Sequence, residues 1–319
     1  MRVLIVTNMY PTRERPEFGV FVREQLEALS RLEGVQTELY VIEGGGMNAY
    51  RKAVRPLRKH LRTRQYDIVH AHYGLTGWVA RRAKATPLVV TYHGTDLRHE
   101  KVGKWSKRLA RRIDQAAVVS DDLGRELAAV KKLRRPVAVL PTGVNLDRFA
   151  QSDRQVARRA LGIDPEGSFV LFPADPSRPE KRFDRAQELA STVGDVELLT
   201  LGGVPPTEVS TYINASDAVI VPSEHEGFGL ATIEALACNV PVVATKTGIA
   251  PIALERVRGC YCMDFDLRSW HATLSAILDD PDPRIAGRET AARYSTDAMA
   301  KRVLSVYRDI LDDSAVSQR

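Results

Sequence analysis

The sequence predicts an α/β fold in two successive domains, each a parallel sheet layered with helices. Three observations carry this expectation. Short β-rich runs alternate with amphipathic stretches along the chain, the rhythm of βαβ units. A length of 319 residues suffices for two domains, each with its own core. Charge divides as well: residues 1–150 hold 28 Lys and Arg against 15 Asp and Glu, a net of +13, whereas residues 151–319 hold 18 against 25, a net of −7. Such a split indicates domains with different partners.

Taken in order, strands are expected near residues 2–8, 36–42, 66–70, 87–92, 115–120 and 136–140. Between the first two, Gly19–Glu33 places Val22, Leu26, Leu29 and Leu32 at spacings of three and four, so an apolar stripe can lie on the sheet as the first crossover helix. After Pro141-Thr142-Gly143-Val144-Asn145 the chain turns polar and charge-rich as far as Gly167, which marks the linker. A new strand opens at Ser168-Phe169-Val170-Leu171-Phe172, followed by others near 195–201, 217–221 and 240–244, and a long helix runs from Asp297 to about Leu311. The domains expected are therefore residues 1–150 and 151–296, with residues 297–319 as a C-terminal helix.

A hydrophobic content of 44% with 27% charged residues excludes disorder and a fibrous fold. No apolar run reaches the roughly 18 to 20 residues of a membrane-spanning helix, and the chain enters its first strand at once, so neither a signal peptide nor a membrane span is expected. Cys238, Cys260 and Cys262 are odd in number and lack the paired spacing of a zinc site, which reads as reduced thiols of a cytoplasmic protein.

The most informative stretch runs from Ser216 to Cys238. It reads as a buried strand, Asp217-Ala218-Val219-Ile220-Val221, a turn holding Gly227 and Gly229, and a helix through Glu234. Small residues let the backbone approach a ligand, and a helix N-terminus offers unpaired N–H groups to oxygen atoms. That places a ligand site at the carboxyl end of a parallel strand. Glu226 stands at the turn and Glu234 eight residues later, so two carboxylates can accept hydrogen bonds from two sets of hydroxyls. A lone glutamate at either position would read as a solvated helix residue.

The run Glu226-Gly227-Phe228-Gly229-Leu230 through Glu234-Ala235-Leu236-Ala237-Cys238, followed by Val240-Pro241-Val242-Val243-Ala244-Thr245, resembles the donor-site motif of glycosyltransferase family 4. Further stretches resemble that family: Pro179-Glu180-Lys181, the histidine segment Val90-Thr91-Tyr92-His93-Gly94-Thr95-Asp96, the interdomain turn at 141–145, and Phe18-Gly19 in its first glycine loop. The resemblance implies a GT-B architecture of two Rossmann-like domains facing a cleft, with the C-terminal helix crossing back to the N-terminal domain. It implies a retaining transferase that takes a sugar from a UDP- or GDP-linked donor. Glu226, Phe228, Gly229 and Leu230 would then contact the sugar, Glu234 the ribose and Lys181 the diphosphate, with Gly19 and Gly227 also donor-binding and His93 beside the sugar. The family arginine expected five or six residues before the lysine is replaced by Asp175 and Pro176, which leaves Arg178 as the candidate substitute. The short Leu201-Gly202-Gly203-Val204-Pro205 connection implies a reduced C-terminal domain. Asn239 stands where a glycine is common, and asparagine tolerates the left-handed conformation.

Chemistry supports these roles independently. Breaking a sugar–phosphate bond develops charge on the leaving diphosphate, which Lys181 with Arg178 can stabilise, so neither metal nor cofactor is expected. Asp264-Phe265-Asp266 forms an Asp-x-Asp pattern but lies far from any glycine turn. His93 follows a strand and precedes glycine, while His70 and His72 sit at another strand end and would line the acceptor side. Residues 51–64 carry seven cations around Val54, Leu57 and Leu61, and residues 101–112 contain no acid. The first of these suits an interfacial helix on an anionic bilayer or, equally, a solvated basic face. A lipid- or glycan-linked anionic acceptor and a position on the inner face of the cytoplasmic membrane follow from the first reading. Nucleic acid is not expected, since no reading motif accompanies the charge. A nucleotide-sugar epimerase of the same fold and a non-catalytic protein binding anionic surfaces are the alternatives.

Overall fold

Apolar runs too short for helices become parallel strands, covered on both faces by the helices that follow them. A computed structural model describes residues 1–316, and its packing divides the chain into two units: Met1–Gly143 with the chain from Thr296 onward, and Val144–Ser295.

The first unit holds β1 (Arg2–Thr7), β2 (Gln36–Val41), β3 (Ile68–His72), β4 (Leu88–Tyr92), β5 (Gln115–Val118) and β6 (Ala138–Val139). They pair in parallel in the order β2-β1-β3-β4-β5-β6. Every residue of β3 and β4 is buried. Helices α1 (Val20–Ser30), α2 (Gly46–Thr63), α3 (Gly74–Arg82) and α4 (Glu100–Ala110) are among its crossovers. In α1 the expected stripe packs inward, with Val22 and Leu29 fully buried and Leu26 against the same core. Chain order reverses between β1 and β3, and a crevice opens at the carboxyl ends where crossovers diverge in this way.

The second unit holds β7 (Phe169–Phe172), β8 (Glu197–Thr200), β9 (Ala218–Val221), β10 (Val242–Ala244) and β11 (Tyr261–Cys262), in the parallel order β11-β10-β9-β7-β8. Its reversal falls between β7 and β9. Helix α5 (Leu230–Ala237) follows β9. Phe172, Leu189, Ile220, Val243, Trp270 and Leu274 fill one face of the sheet. Arg158, 3% exposed, donates to both oxygens of Asp217 at 2.9 and 2.8 Å, and Asp217 accepts from the Phe169 N–H, tying the segment after the linker to the start of β7.

The last helix, α6 (Thr296–Val316), belongs to the first unit. Met299, Ala300, Val303, Leu304, Tyr307 and Ile310 repeat at helical spacing and are buried in one cluster with Val3, Ile5, Val22 and Leu29. Each large side chain buried in this way contributes about 1.5–3 kcal/mol.

Three sequence expectations need adjustment. The third strand runs two residues later than its apolar run suggests, which takes both His70 and His72 into β3 on one face. At 0% and 1% exposed, neither histidine lines an acceptor surface. β11, only two residues long, carries no pattern that a sequence could show. In the apolar stripe of α2, Leu57 is fully buried in the unit, so only Val54 and Leu61 keep surface. Among the described residues no helix is long and apolar enough to cross a membrane.

Candidate active site

In the second unit, the loops leaving β7 and β9 flank the reversal of strand order. The first carries a 3₁₀ turn, Pro179–Lys181, and the second runs from Pro222 to Gly229. Their joining is specific: Lys181 Nζ lies 2.6 and 2.7 Å from the two Glu226 oxygens, the Glu224 N–H donates to the Glu180 carbonyl at 3.0 Å, and Arg185 donates to the Pro222 carbonyl at 3.1 Å. The side chains of Lys181 and Glu226 are only 17% and 9% exposed. Removing either would strand a largely desolvated charge, so each holds the other in place. Ser223 donates to Glu226 Oε1 at 2.8 Å, and Thr245 Oγ1, just past β10, donates to the Ser223 carbonyl at 2.6 Å. An ammonium has three donors, so Lys181 keeps one for a ligand oxygen.

Gly229 caps α5 with φ 89°, in the left-handed region, and the first N–H groups of α5 have no partner within the helix. Phe228 is 5% exposed and Leu230 opens the helix, with Gly227 between the glutamate and the phenylalanine. Glu234 lies four residues into α5, about 6 Å along its axis from Leu230. Gly248 fits this loop closely: a Cβ there would meet the Phe228 carbonyl oxygen at 2.4 Å and Glu226 Cβ at 2.8 Å. Asn239 takes φ 57° beyond α5, and its Oδ1 accepts from the Gly287 and Arg288 N–H groups, which glycine could not do. Arg178 is placed differently from Lys181. Its guanidinium, 52% exposed, donates to Glu180 Oε1 at 2.9 and 2.6 Å. Asp266 caps a helix by accepting from Ser269, and Asp264 pairs with Lys246 at 2.8 Å, so the Asp-x-Asp pattern is spent on local structure.

In the first unit, Gly19 caps α1 with φ 78°, and a Cβ there would meet Met9 backbone atoms at 2.4 Å, so the loop after β1 closes only over glycine. His93 leaves β4 with its N–H donated to Asp96 Oδ1 at 2.9 Å. Asp96 also accepts from Gly94 at 3.0 Å and, through Oδ2, from Gly74 at 2.9 Å. Burial pushes the Asp96 carboxyl up to about 6, against the pull of these backbone donors. Behind His93 lies a chain of imidazoles: His93 Nε2 meets His72 Nδ1 at 3.1 Å, the His72 and His70 rings stack at 4.5 Å, and His70 Nδ1 meets the Tyr307 hydroxyl at 2.6 Å. Burial lowers His72 well below its usual value and takes His70 and His93 down to about 3, so all three are neutral at pH 7. His93 is the one that keeps exposed surface.

Comparison with known proteins bears on this geometry. The model of Glycosyltransferase Family 4 matches residues 2–148, and that of Glycosyl transferases group 1 matches residues 179–298. A D-inositol 3-phosphate glycosyltransferase of Mycobacterium sp. (strain KMS) is 31% identical over 297 residues, covering 78% of this chain and 67% of the relative. The chain belongs to glycosyltransferase family 4. A second relative bearing the same name, from Mycobacterium leprae (strain Br4923), is 29% identical, covering 80% of this chain and 72% of its own. In fold, this family 4 enzyme is similar to sucrose-phosphate synthase from Thermosynechococcus elongatus, with a TM-score of 0.81 at 19% identity, covering 98% of this chain and 100% of the other. Anabaena HepE in complex with UDP and glucose follows at 0.71 and 15%, covering 97% and 100%. The fold is GT-B, and the chain is a glycosyltransferase that uses a nucleotide sugar. These likenesses favour neither the epimerase nor the non-catalytic reading.

Sequence reasoning missed Ser223, Thr245 and Gly248 around Glu226, and Asp96 and Tyr307 around His93. Thr245 and Gly248 come close through the adjacency of β9 and β10, whereas Ser223 lies three residues before Glu226 on the same loop. Tyr307 reaches His70 from 237 positions away. Asp96 and Ser223 carried a local signal, each standing three residues from its partner in a quoted stretch.

Proposed function

We propose that this glycosyltransferase transfers a hexose with retention from a UDP-linked donor to a phosphate-bearing acceptor, without a metal. The observation that carries this is the Lys181–Glu226 pair, supported by Ser223 and joining the two loops at the strand-order reversal of the second unit. In this reading Glu226 accepts from hydroxyls of the transferred sugar and the α5 N-terminus faces its oxygens. Glu234 accepts from the ribose, and the remaining Lys181 donor takes a diphosphate oxygen. Arg178 assists once it leaves Glu180. The C1–O bond to phosphate breaks, the acceptor oxygen bonds C1 on the same face, and its proton passes to the departing phosphate oxygen. In the first unit Gly19 lets the loop after β1 close, and Asp96 and His72 hold a neutral His93 that can hydrogen-bond a substrate hydroxyl. HepE's complex with UDP and glucose supports a UDP-hexose donor, and the inositol-phosphate names of the relatives support an anionic acceptor suited to a unit rich in cations.

A panel of UDP- and GDP-sugars with inositol phosphate as acceptor, run in excess EDTA, tests the reading. We expect turnover with a UDP-hexose, at a rate unchanged by EDTA, and a product that keeps the donor's anomeric configuration by NMR. An inverted product, or turnover restored only by Mn²⁺ or Mg²⁺, contradicts it.

A further inference from the structure

The first unit contains a groove of about 860 Å³ among α2, α3 and α4. Its floor is aliphatic: Val54, Leu75 and Val79, the last two 8% and 2% exposed. Two indoles stand over it. Trp78 Nε1 donates to the Trp105 carbonyl at 3.1 Å, which fixes the pair, while Trp105 itself is 44% exposed. An exposed, anchored tryptophan beside an aliphatic floor is a surface for an apolar chain.

The rim has the opposite character. Arg51, Arg55, Arg58, Arg82, Arg108 and Arg112 all line the groove. Other arginines of this unit find carboxylates: Arg64 with Glu38, Arg134 with Asp114, Arg125 with Asp122. Among the described residues none of the six at the groove has an ion-pair partner. Arg82 lies 5.3 Å from the Trp78 ring centroid, and Arg58 Nε is buried with no hydrogen-bond partner. Uncompensated cations around a low-dielectric floor repel one another and favour an anion there. Guanidinium matches phosphate in shape as well as charge. Together the surfaces call for one molecule with an anionic head and an apolar chain. A nucleic acid would gain from the arginines but would have no use for the aliphatic floor.

The groove also leads toward the histidine loop. Tyr50 lines it, and burial with the neighbouring Tyr73 and Asp96 pushes that hydroxyl up to about 12, so it stays a proton donor. Asp96 is the residue that holds the His93 backbone.

We propose that this groove holds a single phosphate-headed lipid, its phosphate on the arginines and the first segment of its chain against Trp78, Trp105 and the aliphatic floor. This rests on the first unit being the acceptor side, and it makes the acceptor lipid-borne. It also places the apolar part of lipid recognition in the groove between helices, to which the α2 stripe contributes Val54 while burying Leu57.

The test uses the full chain and short-chain phosphatidic acid below its micelle concentration, read by tryptophan emission. Trp78 and Trp105 report, since the third tryptophan, Trp270, is fully buried in the other unit. We expect saturable binding with a blue shift, and inorganic phosphate at least about tenfold weaker and without the shift. Changing Arg55, Arg82 and Arg108 together to Gln, all exposed positions, should weaken the lipid at least about tenfold, as should Trp105→Ala alone. Titration of UDP-glucose into the same variants should be unchanged, which separates a failure here from a failure of the donor reading. Equal affinity for inorganic phosphate and the lipid overturns the proposal. So does full lipid affinity in both variants, no lipid binding by a protein that still binds UDP-glucose, or a single-stranded oligonucleotide that displaces the lipid.

Discussion

A single ion pair organises the donor-side chemistry. Lys181 and Glu226 are held on different loops, largely out of water, and Ser223 donates to the same carboxylate. Glu226→Gln removes the charge but keeps the shape, leaving Lys181 with a weaker acceptor. We expect kcat to fall about 100-fold, the scale of one oriented polar group in an electrostatically built site, while Ser223→Ala costs under about tenfold. Steady-state kinetics beside a thermal melt checks both, and full activity in Glu226→Gln would remove this carboxylate from the chemistry. At this scale the sequence was legible where the chemistry is contiguous, from Glu226 to Glu234. It was silent where partners arrive from another strand: nothing in Thr245 or Gly248 taken alone points to Glu226. Arg178, the candidate substitute for the family arginine, gives its guanidinium to the adjacent Glu180 in the structure.

Among the elements, β3, β4 and α6 meet at the buried histidines. Strand and helix positions were largely legible from apolar spacing, but the two-residue shift of β3 was not. The parallel core absorbs polar side chains when a neighbour satisfies them, as Tyr307 and Thr91 satisfy His70. This arrangement has a pH signature. His70 and His72 have folded pKa values depressed below the unfolded value near 6.5, so the unfolded chain binds more protons and stability falls as pH drops below about 6.5. His93 acts in the same direction, whereas Asp96, raised to about 6, binds its proton in the folded state and offsets one of them below pH 6. Each net proton is worth about 1.4 kcal/mol per pH unit. Urea unfolding at pH 7.5, 6.5 and 5.5, followed by circular dichroism, should show the midpoint of the first unit's transition falling across the series. A flat or rising midpoint would mean that the histidines are charged in the folded state.

For the molecule as a whole, the alternation of strands and helices was enough to read two α/β units. Charge asymmetry marked them as different, and the fold is GT-B with a chain that transfers sugar from a nucleotide donor. The strand orders were not readable from one chain, because they depend on which crossover leaves on which side of each sheet. Those orders matter to function, since they place the Lys181 and Glu226 loops side by side at the reversal between β7 and β9. The central claim is that this point binds the donor. Calorimetric titration of UDP-glucose into the wild type, Lys181→Ala and Glu234→Gln tests it most directly, with melting curves to confirm that each variant is folded. A hydrogen bond to a charged group contributes about 1.5–3 kcal/mol, so each variant should bind at least about tenfold more weakly than the wild type. Equal dissociation constants in all three folded proteins would contradict the account and place the donor elsewhere.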